Sequence, residues 1–208
     1  MSIKINYKNS KFNRSSSNLI FFVEEKFNIT SLKKYISNNE FLYISDILKK
    51  SDLKKDILFF EINHKKTIFL VSIKKDIKIS DIENLGAKFH SYINYDRKND
   101  YFVNSDSASS EIKNFVGYFL HGIKLKSYEF NIYKSKKNKK PISINVIGNR
   151  NKISPQDQFR FKALEEGVFF ARDLVSEPGN VLHPDEYAKR INSLKKFGLK
   201  INVYDEKN

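Results

Sequence analysis

The sequence contains no cysteine and no tryptophan, and its first glycine is Gly86. Without cysteine the chain forms no disulfide and has no thiolate, which fits a reducing cytoplasm. The lack of glycine before that position argues against a phosphate-binding loop there, because such loops need glycine to bring backbone N–H groups close to a phosphate. Neither G-x-x-x-x-G-K-[ST] nor G-x-G-x-x-G occurs, which excludes nucleotide binding by those two loops.

Long apolar runs are also missing. No stretch approaches the roughly 20 apolar residues that a membrane-spanning helix needs, and the polar residues 1–11 contain no apolar signal core. We therefore expect a cytoplasmic protein that is neither exported nor inserted into a membrane. An apolar content of 40% in 208 residues is typical of a globular chain with one or two domains.

Residue types that perform metal or nucleophilic chemistry are present but dispersed. No H-x-x-x-H spacing and no G-x-S-x-G segment occurs. Side chains adjacent in sequence point in different directions, so the neighbouring acids predict surface or helix-start charges rather than metal ligands. The sequence thus predicts no catalytic, cofactor-binding or metal-ligating residue in this chain. The residues considered and set aside are His64, His90, His121, His183, Glu24, Glu25, Glu165, Glu166, Asp185 and Glu186.

Basic residues exceed acidic residues by 14, mostly in the first part of the chain. Residues 1–150 contain 28 Lys and Arg against 15 Asp and Glu, whereas residues 151–208 contain 10 against 9. Such an excess is typical of proteins that bind nucleic acid or anionic membranes. Only six of the 38 basic residues are arginine, which recognises phosphates and guanines best. A solvated lysine-rich surface therefore explains the charge better, including the lysine run at 134–140.

Apolar spacing divides residues 1–150 into short strands and helices. Alternating or continuous apolar runs predict strands near residues 3–7, 19–23, 56–62, 67–73, 101–103 and 142–147. Apolar residues three or four positions apart predict helices over 41–48, 82–93 and 112–123. Strands that alternate with helices predict an α/β domain with a mixed sheet flanked by helices.

The pattern changes after residue 150. Apolar residues recur at helical spacing from Phe159 to Val175, and Ser154 in front of a proline suits the start of a helix. Pro178 ends this helix because it lacks an N–H, and Pro184 with two following acids starts another. The alternating residues 199–206 predict a strand. The sequence therefore predicts a long helix, a fixed turn, a second helix and a strand.

This last segment resembles the junction between the amino-terminal and catalytic domains of the leucyl aminopeptidase (cytosol aminopeptidase) family. A second similarity lies at residues 122–141, with its Ser-Tyr-x-Phe and lysine-rich pattern. Gly179 and His183 depart from the family pattern at turn and cap positions. The matching residues of the junction are Ala171, Arg172, Asp173, Leu174, Ser176, Pro178, Asn180, Leu182, Pro184 and Glu186.

The resemblance implies a macro-domain-like, non-catalytic α/β domain over residues 1–150, a linker helix over 151–178 and the start of a catalytic domain over 179–208. Family members are two-metal peptidases, commonly hexameric, that remove amino-terminal residues from peptides. Their metal ligands lie in Gly-Lys-Gly, Phe-Asp-Ser-Gly-Gly and Asn-Thr-Asp-Ala-Glu-Gly-Arg segments, none of which occurs here. The resemblance thus implies that two divalent cations, Mn or Zn, bind to a part of the enzyme outside this chain.

Two hypotheses remain. In the first, the chain is the amino-terminal portion of a leucyl aminopeptidase, inactive alone and involved in assembly or regulation. Because the family pattern is still continuing at Asn208, we expect a fragment. In the second, the chain is a free-standing basic binding module, with nucleic acid as its partner.

Overall fold

The computed structural model describes residues 3–7, 18–93, 100–108, 111–135 and 141–204. The chain divides into two compact units, residues 1–165 and residues 166–208. The boundary between the units falls inside a long helix. None of the helices in the described parts is long and apolar enough to cross a membrane.

The first unit contains a six-stranded sheet with the order β1-β6-β5-β2-β4-β3. All pairings are parallel except that of β3 with β4, which forms a hairpin around residues 64–65. Each predicted strand of residues 1–150 is present, so the prediction of a mixed sheet is confirmed. The strands are β1 (Ile3–Asn6), β2 (Asn18–Glu24), β3 (Ile57–Asn63), β4 (Lys66–Ile73), β5 (Tyr101–Asn104) and β6 (Ile142–Ile147).

The predicted helices are also present. Ser37 accepts a hydrogen bond from the N–H of Glu40, whose carboxylate accepts one from the N–H of Ser37, and this capping box starts α1. Ser154 accepts from the N–H of Asp157, as predicted for the start of α4. The helices are α1 (Asn38–Leu48), α2 (Ile79–His90), α3 (Phe115–Lys126), α4 (Pro155–Ser176) and α5 (Pro184–Asn192).

The sheet separates two apolar cores. Ile20 and Phe22 of β2 contribute to one core, and Leu19, Phe21 and Val23 contribute to the other, because successive side chains of a strand point to opposite faces. The rings of Phe115 and Phe119 of α3 meet Phe22 edge to face at centroid distances of 5.1 Å. The continuous apolar run at 19–23 is therefore a strand that is buried on both faces.

Two glycines allow α2 and α3 to pack closely. A Cβ atom at Gly86 would lie 2.0 Å from the Phe119 carbonyl oxygen, and a Cβ at Gly122 would lie 1.9 Å from the Glu83 carbonyl oxygen. Both obstructing atoms belong to helix backbone, which a side-chain rotation cannot move. These glycines therefore serve the contact between two helices.

The apolar stripe predicted on α4 is largely exposed to solvent. The exposed fraction is 74% for Phe159 and 87% for Val175. The buried residues of this helix are instead Phe161 and Glu165. The expectation that Glu165 is a surface charge is therefore wrong, because it lies one turn beyond Phe161, whose ring packs against Tyr118 of α3.

The second unit contains the end of α4, a turn, α5, a 3-10 turn at Ser193–Phe197 and residues 199–204, which have no regular secondary structure. The predicted strand is not formed at 199–204, because no other strand of the described chain pairs with it; residues 205–206 lie outside the described residues. No apolar residue from 166 to 204 is buried. The second unit thus has helices and a turn but no core of its own.

Candidate functional site

Backbone hydrogen bonds hold the turn between α4 and α5 in the second unit. At the start of the turn, the N–H of Glu177 donates to the carbonyl of Asp173 at 3.0 Å. Within it, the N–H of Leu182 donates to the carbonyl of Pro178 at 3.0 Å. His183 precedes Pro184 as the N-cap of α5 without a hydrogen bond from its side chain. The turn is therefore set by proline positions and backbone hydrogen bonds.

Arg190 of α5 contacts one carboxylate in the turn that follows α4 and a second one within its own helix. Its Nη1 donates to Oε1 of Glu177 at 2.9 Å, and its Nε donates to Oε1 of Glu186 at 3.2 Å. Only 3% of the Glu177 side chain is exposed. The hydrogen bond to Glu177 raises the pKa of Arg190, and the hydrogen bond from Arg190 lowers the pKa of Glu186. The ion pair between Arg190 and Glu177 thus joins two residues that are 13 positions apart in the sequence.

The four histidines lie on separate elements. His64 is in the β3–β4 turn, His90 ends α2, and His183 precedes α5. His121 is buried in α3, with its Nδ1 2.9 Å from the Glu83 carboxylate. Nε2 of His121 is buried and has no hydrogen-bond partner in the described structure. No group of three or more His, Asp or Glu side chains in the described ranges is arranged to hold a metal ion.

The adjacent acids take different positions. Asp185 and Glu186 lie in the first turn of α5, as expected. Glu165 is buried and lies near Tyr7. Burial of the Tyr7 hydroxyl is the main cause that raises the pKa of Tyr7 well above its ordinary value, and the negative charge of Glu165 is the second cause. Of the three pairs of acids set aside as ligands, Asp185 and Glu186 are thus helix-start charges, Glu24 and Glu25 are exposed, and Glu165 is buried next to the exposed Glu166.

A polar cluster that the sequence did not predict lies at the carboxyl ends of β5 and β6. Asp106 Oδ1 accepts hydrogen bonds from the backbone N–H groups of Asn149 and Arg150. The Ser105 hydroxyl lies 2.7 Å from the Arg150 carbonyl oxygen. Gly148 has a φ of +113°, and a Cβ there would lie 2.5 Å from the Ser105 hydroxyl oxygen. The partners are more than 40 residues apart in sequence, so no local pattern indicates their contact.

This cluster bears on ligand binding. In open α/β sheets, ligands bind outside the carboxyl ends of the strands. Beyond β5 and β6 that position is taken by the chain's own groups, since Asn104 Oδ1 also accepts from the N–H groups of Asp106 and Ser107. The backbone N–H groups of Asp106, Ser107, Asn149 and Arg150 therefore already have acceptors within the chain.

A surface cleft of about 530 Å³ in the first unit carries charges of both signs. Lys74, Lys88 and Lys126 line it together with Asp56 and Asp81. Lys88 forms an ion pair with Asp56. A groove for nucleic acid carries a predominantly positive surface, so this cleft does not have the charge pattern of one. Most of the lysine run, residues 136–140, lies outside the described residues.

The fold of this chain is similar to that of known aminopeptidases and related enzymes. No family model matches the chain. The fold matches that of a mutant tomato leucine aminopeptidase with a TM-score of 0.74 at 17% identity, over 99% of this chain and 45% of that one. It also matches the bottromycin maturation enzyme BotP in complex with Mn, with a TM-score of 0.63 at 13% identity, over 92% of this chain and 39% of that one. The α/β fold is thus that of part of a leucine aminopeptidase.

The sequence relatives are consistent with that class. A probable cytosol aminopeptidase of Clostridium perfringens is 29% identical over 96% of this chain and 42% of its own length. A probable cytosol aminopeptidase of Nitrobacter winogradskyi is 29% identical over 78% of this chain and 32% of its own length. The chain is therefore homologous to the leucyl (cytosol) aminopeptidase family, and it spans about two fifths of the length of the first of these relatives.

Proposed function

We propose that this chain is the amino-terminal portion of a metal-dependent leucyl aminopeptidase, an enzyme that removes amino-terminal residues from peptides. In this proposal the chain serves assembly or regulation of the enzyme and performs no chemistry itself. The observation that carries the proposal is the match of nearly the whole chain to 42% of the Clostridium perfringens relative. The proposed location is the cytoplasm, and the proposed assembly is a homo-oligomer, a hexamer as is common in the family.

The proposed domain limits follow the resemblance. Residues 1–150 are the α/β amino-terminal domain, 151–178 the linker helix and 179–208 the start of the catalytic domain. The boundary between the two structural units, after residue 165, falls within the proposed linker helix. A helix that belongs partly to each unit suits a connection between domains.

The metal chemistry is assigned to the rest of the enzyme. A dimetal peptidase centre needs several convergent carboxylates to hold two cations about 3.5–4 Å apart. The described acidic and histidine side chains do not fit such a centre, because they form no group of the required kind. We propose that the two cations, Mn or Zn, have their ligands in another part of the enzyme.

Hydrolysis of leucine p-nitroanilide tests the proposal. We expect the purified chain to release no p-nitroaniline above background with Mn²⁺ or Zn²⁺ at any concentration tried. The full-length Clostridium perfringens relative, assayed in the same buffer, is the positive control. Metal-dependent turnover by this chain alone would refute the assignment of the chemistry to another part of the enzyme.

Nucleic-acid binding is the second candidate, favoured by the excess of basic residues in residues 1–150. Binding of this kind weakens steeply with salt, because each neutralised phosphate releases counterions. Titration of a labelled duplex DNA at increasing salt measures this dependence. Tight binding with a steep salt slope would support the binding module, and no binding at low salt would remove it.

A further inference from the structure

Two consecutive backbone N–H groups after β6 point at one carboxylate oxygen. The N–H groups of Asn149 and Arg150 both donate to Oδ1 of Asp106, the first at 2.8 Å. Successive backbone N–H groups that converge in this way form a concave anion-binding site, or nest. We call the backbone of residues 148–150, with its two converging N–H groups, the β6 nest. The nest lies entirely within the first unit, and its anion is a side chain of the protein itself.

The conformation of Gly148 allows the chain to turn from β6 into the nest. Its φ of +113° lies in a region that residues with a side chain rarely adopt. A Cβ at this position would also lie 2.9 Å from Oδ1 of Asp106. A side chain here would therefore strain the backbone and obstruct the place that the carboxylate oxygen occupies.

Contacts that do not involve a carboxylate hold the loop around the nest. The Ser105 hydroxyl lies 2.7 Å from the carbonyl oxygen of Arg150, and the side-chain amide of Asn151 donates to the carbonyl oxygen of Ser105 at 3.2 Å. We therefore expect the two N–H groups to keep their positions when the Asp106 carboxylate is removed. A site that is already formed loses little conformational entropy when it binds a ligand.

The space at the nest suits a small carboxylate. A Cβ at Gly148 would meet the Ser105 hydroxyl oxygen at 2.5 Å and the carboxyl carbon of Asp106 at 2.9 Å, so the groups around the anion are closely packed. Removal of the Asp106 side chain makes room for a planar anion of the same size as its carboxylate. A phosphate is tetrahedral and has two more oxygen atoms than the group that it would replace.

We infer that the β6 nest is a carboxylate-binding site that Asp106 keeps occupied, and that it binds a free carboxylate once the Asp106 side chain is removed. Hydrogen bonds from N–H groups to a charged acceptor are stronger than those to a neutral one, which favours an anion as the ligand. In the unsubstituted chain the Asp106 carboxylate excludes other anions from the carboxyl end of β6. This role is independent of the proposed peptidase function.

Asp106→Ala in the presence of formate tests the inference. The variant keeps both N–H groups of the nest and should melt at a lower temperature than the unsubstituted chain, since the two donors lose their acceptor. About 100 mM sodium formate should raise its melting temperature by about 3–5 °C over the value in the same concentration of sodium chloride. The amide NMR resonances of Asn149 and Arg150 should shift with formate and reach saturation. In the unsubstituted chain these two resonances should respond equally to formate and chloride.

Asp52→Ala is the matched control. Asp52 is exposed and accepts a hydrogen bond from the backbone N–H of Lys54 at 3.1 Å, in a turn outside the nest. Formate should stabilise this variant no more than chloride does. Equal stabilisation of the two variants by formate would overturn the inference, as would stabilisation of Asp106→Ala without shifts at residues 149 and 150.

The same salts give a result if Asp106→Ala does not fold in chloride. Folding that is restored by formate and not by chloride would support a carboxylate-binding nest. A variant that stays unfolded in both salts would overturn the inference, because the nest would then not exist without Asp106. A folded variant that shows no response to formate would overturn it as well.

Discussion

At the residue scale, a lysine and a glutamate that are both nearly buried connect α1 to the sheet. Lys66 of β4 and Glu40 of α1 form an ion pair, with 6% and 14% of their side chains exposed. Burial tends to raise the pKa of Glu40, but hydrogen bonds from Lys66 and the Ser37 backbone outweigh it, and the pKa is lowered. The ion pair thus ties the first turn of α1 to the sheet.

We predict that Glu40 makes stability sensitive to acid. Because its pKa is lower in the folded chain than in the unfolded chain, the stabilisation is present above the ordinary carboxylate pKa and is lost as pH falls through the folded value. Glu40→Gln should remove this part of the pH dependence and cost roughly 1–3 kcal/mol at neutral pH, since Lys66 stays buried without its anion. Urea denaturation between pH 3 and 7 measures both effects.

Asp46→Asn is the matched control for that experiment. Asp46 pairs with Lys49 on the same helix, and both side chains are largely exposed. Exposed pairs of this kind contribute little to stability. A pH dependence that changes equally in both variants would contradict the role given to Glu40.

At the element scale, the crossing of α2 and α3 depends on the missing side chains of Gly86 and Gly122. The obstructing atoms are carbonyl groups of the opposite helix. A methyl group at either position would push the helices apart and disturb the core that Phe89 and Phe119 share. Helix propensity and close packing therefore make opposite demands on these positions, and packing determines the residue.

We predict that Gly86→Ala destabilises the protein by about 1–3 kcal/mol, the usual cost of overpacking. Gly167→Ala is the matched control, because Gly167 also lies inside a helix but a Cβ there meets nothing within 4 Å. That variant should raise helix stability by up to about 1 kcal/mol. Thermal unfolding followed by circular dichroism compares the two, and a stabilised Gly86→Ala would contradict the packing argument.

The junction between α4 and α5 allows a second prediction at this scale. Arg190→Ala removes the hydrogen bond that connects α5 to Glu177 and the hydrogen bond that Arg190 makes to Glu186 within the same helix. We expect faster amide hydrogen exchange in Pro184–Asn192, because the side-chain contact between α5 and the preceding turn is then lost. Lys189→Ala, at a largely exposed neighbour, should leave exchange unchanged. Equal exchange in the two variants would show that the Arg190 pairs do not hold the helix.

Local patterns were sufficient for most elements but not for the tertiary contacts. The run at 19–23 and the spacing of 41–48 predicted β2 and α1, because strand and helix periods are properties of neighbouring residues. The strand expected from Leu199 requires a second strand, and no local pattern supplies one. Glu165 and the contacts of Asp106 were missed for the same reason: burial and hydrogen bonding there depend on residues far away in sequence.

At the scale of the whole molecule, stability is distributed unevenly. The first unit contains two cores on the faces of its sheet, and the second has no buried apolar residue between 166 and 204. Local opening requires little free energy where few apolar contacts are lost. We therefore expect the second unit to open more easily than the first.

We predict that amides in Ile191–Val203 exchange at least a hundredfold faster than those in β2 and β4. Mass spectrometry of the isolated chain after deuterium labelling measures the two regions in one experiment. Strong protection of this region in the isolated chain would mean that the second unit is stable alone.

Neighbouring residues of β2 lie in different apolar cores, because their side chains point to opposite faces of the sheet. Phe21 stacks on Tyr35 on one side of the sheet, whereas Phe22 meets Phe115 and Phe119 on the other. Fluorine labels on these two rings would therefore report separately on the two cores. A ligand or partner that contacts only the α3 side should shift the fluorine resonance of residue 22 and leave that of residue 21 unchanged. The two labels on one strand would therefore show on which face of the sheet binding occurs.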